Sequence, residues 1–124
     1  MSFTVKWIMS AAERAVAEHG REHVEKRGQY LRWSIEGNRW VPCCLVGHLA
    51  IEAGVPVAEL VMVNSECVTG DARGAFVKHF SDFGIGLLAV AQRKGDDGLA
   101  WGDILDEMRL HAQLLQGAEP EPAS

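Results

Sequence analysis

Pro42-Cys43-Cys44-Leu45-Val46-Gly47-His48-Leu49-Ala50-Ile51-Glu52-Ala53-Gly54 is the stretch whose reading decides the fold. From Cys43 to Ala53 it is apolar almost all round, the pattern of a helix enclosed by the rest of the protein. Pro42 suits the first turn of such a helix, where its missing N–H would have no partner anyway. Gly54 suits its end, because glycine turns left-handed without a Cβ clash.

Working towards the N-terminus, the period changes. Tyr30, Arg32 and Ser34 alternate with Leu31, Trp33 and Ile35, the two-residue repeat of a half-buried strand. Glu36-Gly37-Asn38-Arg39 supplies turn chemistry, and Trp40-Val41 pairs back as a short second strand. Two strands are marginal alone in water, so this hairpin is expected to lie on helices. Further upstream, Val5, Ile8, Ala12, Ala15 and His19 form one stripe of a first helix, capped by Thr4 and closed by Gly20. The charged run Arg21 to Arg27 is expected to add a short exposed turn.

Towards the C-terminus, Val57 to Val63 reads as a short helix and Asn64 to Gly74 as a polar loop, the kind of segment where function often sits. Ala75 to Phe83 and Ile85 to Arg93 read as one helix bent at Gly84 and Gly86, or as two in sequence, followed by a turn at residues 94–98. Trp101, Ile104, Leu105, Met108, Ala112 and Leu115 form the apolar face of a last helix, its start capped by Asp96, Asp97 and Asp103. The expected fold is therefore α+β and mainly α. About five helices surround the buried central one and carry a small β-hairpin. Residues 1–116 form one domain and 117–124 a disordered tail.

Composition narrows the function. The chain has 124 residues, of which 48% are hydrophobic and 23% charged, enough for a single core. Its net charge of -5 opposes non-specific nucleic-acid binding, which needs a positive surface. No apolar run reaches the roughly 18 to 20 residues that cross a bilayer. With three cysteines, two of them adjacent, no disulfide framework is expected, and a reducing cytoplasm fits best.

Cys43 and Cys44 carry two open readings. At the first turn of a helix their thiols would face the positive end of its dipole, with His48 one turn on or His79 as base; this would make a cysteine-dependent hydrolase or transferase. Alternatively they are small apolar filler, the common fate of free cysteine. Combining them with His48, Cys67 and His79 gives no recognised zinc spacing, so neither metal nor cofactor is expected. Asp96-Asp97-Gly98 lacks the spacing of a calcium loop, and Gly84-x-Gly86 lacks the third glycine of a dinucleotide fingerprint. His19, His23 and His111 are expected on helix surfaces or edges.

Two segments carry a resemblance. Cys44-Leu45-Val46-Gly47-His48-Leu49 leads to Ala53-Gly54, and the acidic turn ending Ala91 to Gly98 precedes Trp101-Gly102-Asp103-Ile104-Leu105. Over about half of its length the chain resembles a family of small uncharacterised proteins of actinobacteria and their bacteriophages, which show Cys-x-x-Gly at the central helix and an Asn-Asp turn before the last. Asp96-Asp97 stands here in place of Asn-Asp. The resemblance brings no activity and implies a phage or mobile-element protein acting on host machinery. The leading expectation is thus a non-enzymatic module that binds a host or phage protein through the hairpin and the following loop. Trp33, Trp40, Asn64, Glu66, Asp71 and Arg73 are its contact residues, burial in the core being the other reading of Trp33 and Trp40, and a homodimer built on an apolar helix face is compatible with it.

Overall fold

The computed structural model describes residues 2–25 and 29–119. Among them are six helices and one two-stranded antiparallel hairpin, an α+β and mainly α arrangement. The first helix, α1 (Val5–His19), begins at Thr4, whose hydroxyl accepts the Trp7 N–H, and ends at Gly20 with φ of 97°. Its stripe of Val5, Ile8, Ala12 and Ala15 is buried. Residues 21 and 22 make a turn, and no helix follows as far as Glu25; the rest of the expected charged turn lies outside the described residues.

The hairpin pairs β1 (Leu31–Ser34) with β2 (Arg39–Pro42) in the register Leu31↔Pro42 through Ser34↔Arg39. Asn38 takes a positive φ of 49° in the turn, a conformation asparagine tolerates better than most residues. Pro42 ends β2 and does not open the central helix. The Cys43 N–H donates to the Tyr30 carbonyl at 2.9 Å, which carries the ladder one residue further. The central helix, α2 (Leu45–Glu52), therefore starts two residues later than its composition suggests, with Cys44 as its extended N-cap (φ −143°). Gly47 shows why α2 lies so close to the hairpin: a Cβ there would sit 2.1 Å from the Tyr30 carbonyl oxygen. Only glycine fits.

After α3 (Val57–Met62), the polar segment from Asn64 runs into a one-turn helix, α4 (Arg73–Phe76). Of the two readings of residues 75–93, the structure has two helices in sequence, but they part around Phe80 and not at Gly84 and Gly86. Phe3 and Phe80 form an isolated parallel bridge, with the Phe3 N–H donating to His79 and the Ser81 N–H donating to Phe3. Ser81 then caps a straight α5 (Asp82–Asp96) by accepting the Gly84 N–H at 3.0 Å. That helix runs to Asp96, through part of the expected turn. The last helix, α6 (Trp101–Ala118), continues past residue 116, and Glu119 is hydrogen-bonded, so the expected tail begins no earlier than residue 120; residues 120–124 lie outside the described residues. The N-cap of α6, Ala100, makes no side-chain cap, and of the expected acidic residues Asp103 stands in the first turn. The carbonyls of His23 and Arg21 receive the Trp101 and Gly102 N–H groups instead, each at 2.8 Å.

Helices α1, α5 and α6 pack on one another and on α2, enclosing Ile8, Leu49, Leu88, Trp101 and Met108. No helix among the described residues is long and apolar enough to cross a membrane.

Candidate functional site

The cysteine centre is built by the junction of β2 and α2. Cys43 is fully buried, and its thiol donates to the Gln29 carbonyl at 3.4 Å. Cys44 stands one position before the helix, where its sulfur accepts the Gly47 N–H at 3.3 Å, the contact a serine hydroxyl makes at other caps. Burial pushes the Cys44 thiol up to about 12, against a smaller opposing effect from that N–H. At neutral pH the uncharged thiol is therefore the favoured form. The cleft beside it, lined by Glu25, Gln29, Gln92, Asp96 and Trp101, has a volume of about 20 Å³, room for a water molecule.

Neither expected base reaches this sulfur. Among the described residues no hydrogen bond joins His48 or His79 to Cys44. His79 lies at the Phe3–Phe80 bridge, where its carbonyl accepts the Phe3 N–H. His48 turns instead into a cluster that the sequence leaves unannounced. Its ring meets those of His19 at 4.8 Å and Trp101 at 5.0 Å, and His23 meets Trp101 at 4.7 Å, all close to edge-on. Glu25 Oε1 lies 2.5 Å from His23 Nε2 and 4.0 Å from His48 Nε2, and the latter nitrogen is buried without a hydrogen bond. Burial, then the neighbouring His19 and His23, hold His48 down to about 4. The His48 ring is thus held in its uncharged form among them. Among the described residues no three His, Cys, Asp or Glu side chains are placed to hold a metal ion.

The hairpin presents a different surface. Trp33 and Trp40 are cross-strand partners whose rings meet edge to face at 5.6 Å and 76°, and they remain 46% and 36% exposed. The alternation expected of β1 is broken here: Leu31 is buried, but Trp33, on the same face, extends beyond the helices. A shallow groove beside the pair is lined by Arg39, Val41, Pro42, Ile51 and Val57. Ile35 at the strand end is 85% exposed.

No known protein family, curated protein or solved structure matches this chain. The site therefore rests on its own geometry.

Of the loop residues, Asn64 is turned inward. Its side-chain oxygen accepts the Tyr30 and Leu31 N–H groups at 2.9 and 2.8 Å, and its nitrogen donates to the Leu31 carbonyl at 2.9 Å. The loop is then pinned to α5: the Tyr30 hydroxyl donates to the Glu66 carbonyl, Gln92 donates to that hydroxyl, and the Gln92 oxygen accepts the Val68 N–H. Burial raises the Tyr30 phenol well above its ordinary range. Glu66 and Asp71 are exposed, as is Arg73, which pairs with Asp82 at 3.3 Å. None of these three makes a hydrogen bond or ion pair with the tryptophan pair.

Proposed function

We propose that this chain is a non-enzymatic protein-interaction module that captures a partner protein on the Trp33/Trp40 face of its hairpin. The observation that supports this most directly is the exposed, mutually packed tryptophan pair beside an apolar groove. Tryptophans held this way lose little side-chain freedom on binding, and such residues dominate interface energetics. The loop from Asn64 to Gly74 serves the face chiefly by fixing β1, and Glu66, Asp71 and Arg73 extend the contact at its margin. The partner we expect is a host or phage protein, a context that rests on the resemblance of the central-helix motif and the acidic turn.

The test begins with in-extract cross-linking of the tagged full-length protein and identification of the cross-linked partner. Binding of that purified partner is then compared among wild type, Trp33→Ala and Trp40→Ala. Each substitution is expected to weaken binding about 30-fold, the equivalent of a 2 kcal/mol anchor, with circular dichroism unchanged. Undiminished binding by both variants refutes the reading.

A further inference from the structure

In an antiparallel pair, residues that exchange hydrogen bonds with the partner strand alternate with residues whose N–H and C=O point outward. The Cys43 N–H bonds the Tyr30 carbonyl, although the Tyr30 N–H goes to Asn64, and this register makes Arg32 and Ser34 the inward-bonding residues of β1. Leu31 and Trp33 therefore turn their backbone groups to the outer edge of β1. At Leu31 that edge is already occupied, because the Asn64 amide accepts its N–H and donates to its C=O. Those are the two bonds a residue of a third strand would make. Two residues on, the register turns the N–H and C=O of Trp33 outward, and no side-chain or loop hydrogen bond among the described residues reaches them.

The geometry points to strand addition at this edge: an extended segment of the partner protein pairs with β1 at Trp33, continuing the line that Asn64 begins. This inference rests on the interaction reading above and supplies the chemistry of the partner. A residue directly opposite Trp33 places its side chain on the Trp33/Trp40 face, so it is apolar. Its two neighbours project to the face of Arg32, while Arg39, one strand further, also borders the groove beside the tryptophans; both arginines are exposed and carry no ion pair among the described residues. In a chain of net charge -5, these two arginines form a basic strip on the hairpin and match carboxylates. The segment therefore alternates acidic with apolar residues. The outer edge of β2 is less suited, since Pro42 has no N–H to offer. β1 itself carries no proline, so each of its residues has an N–H to offer.

The test is a titration of the ¹⁵N-labelled full-length protein with a capped heptapeptide alternating glutamate and valine, read at the Trp33 amide by chemical shift and hydrogen exchange. The expected result is saturable protection of that amide. N-methylating the valines, or replacing the glutamates by lysine, is expected to weaken binding about tenfold or more. The Arg32→Glu/Arg39→Glu variant, altered only at exposed positions, is expected to prefer the lysine peptide. Equal binding of the N-methylated peptide overturns the inference in favour of side-chain docking in the groove. Concentration-dependent protection without peptide overturns it in favour of a second copy of this chain, and an unmoved Trp33 amide at millimolar peptide overturns it outright. A partner that needs Trp33 and Trp40 yet leaves the Trp33 amide in fast exchange sinks strand addition alone; a partner indifferent to both tryptophans sinks the interaction reading itself.

Discussion

His48 and Cys44 lie four residues apart on the same short stretch, and their surroundings push each towards its uncharged form. For His48 the consequence is a pH dependence of stability. An unfolded histidine binds its proton near 6.5, whereas in the native protein it does so only near 4. Between those values the unfolded state holds more protons, so stability rises with pH there. It is complete above about pH 6.5 and falls by up to about 3 kcal/mol as the pH drops through 4. The facing groups are His19 on α1, His23 and Glu25 on the connecting segment and Trp101 on α6. Denaturant unfolding of wild type and His48→Gln between pH 7.5 and 4.5 measures this: the wild type is expected to lose more stability on acidification, and parallel curves would exclude it. Cys44 yields a simpler prediction. Alkylation by iodoacetamide at pH 7.5 is expected to modify exposed Cys67 first and Cys44 only upon unfolding; rapid native modification of Cys44 would revive the nucleophile reading.

At the scale of elements, the contact of hairpin and central helix decides the architecture. Gly47→Ala would bring a methyl group 2.1 Å from the Tyr30 carbonyl, a backbone atom in a ladder with little room to move. Loss of at least about 2 kcal/mol is expected, together with faster exchange of the Cys43 amide as the two elements part. A stable Gly47→Ala protein with Cys43 still protected would contradict the packing described. Asn64 holds the opposite edge. Asn64→Ala removes three hydrogen bonds at once and is expected to cost about 2 to 3 kcal/mol, and Asn64→Asp, which sets a carboxylate oxygen against the Leu31 carbonyl, is expected to destabilise as well; thermal unfolding measures both. These same contacts mark where the sequence stops being legible. Helix α1 is readable because its apolar stripe and its Thr4 cap are local, α6 because its apolar stripe is local, and the hairpin because its alternation and turn are local. The start of α2 is not, since proline suits both the end of a strand and the first turn of a helix, and a hydrogen bond from Cys43 back to Tyr30 chooses between them. Asn64 reads as a loop residue because its partners lie 33 and 34 residues away. The histidine cluster joins α1, the segment after it, α2 and α6, and no spacing in the chain announces it. The exposed tryptophan pair was readable as a surface candidate from its place on a short hairpin, while the open backbone of β1 needed the register.

For the whole molecule, the two ends of the described chain are fastened by one side chain. Glu119 Oε1 accepts the Val5 N–H at 2.9 Å and Oε2 accepts the Ser81 hydroxyl at 2.5 Å. The carboxylate thus stands at the first residue of α1 and at the cap of α5, where two helix dipoles present their positive ends. It also closes the seam where Phe3 bridges Phe80 and Trp7 stacks on Phe3 at 4.1 Å. An expected surface tail is in this respect part of the framework. Because the bonds reach across 114 and 38 residues, removing them should loosen the N-terminal end of α1 and the start of α5 together, without disturbing the hairpin. Glu119→Ala is expected to cost about 1 to 3 kcal/mol, from a charge-assisted bond at each of two helix starts. Glu119→Gln, which keeps an acceptor for one of them, is expected to cost less. Hydrogen exchange should show the Val5 amide opening first in Glu119→Ala, with the Leu31 amide as protected as in wild type. Were the Leu31 amide to open equally, the clasp would be acting through global stability, and the separation of the helical framework from the hairpin surface would not hold.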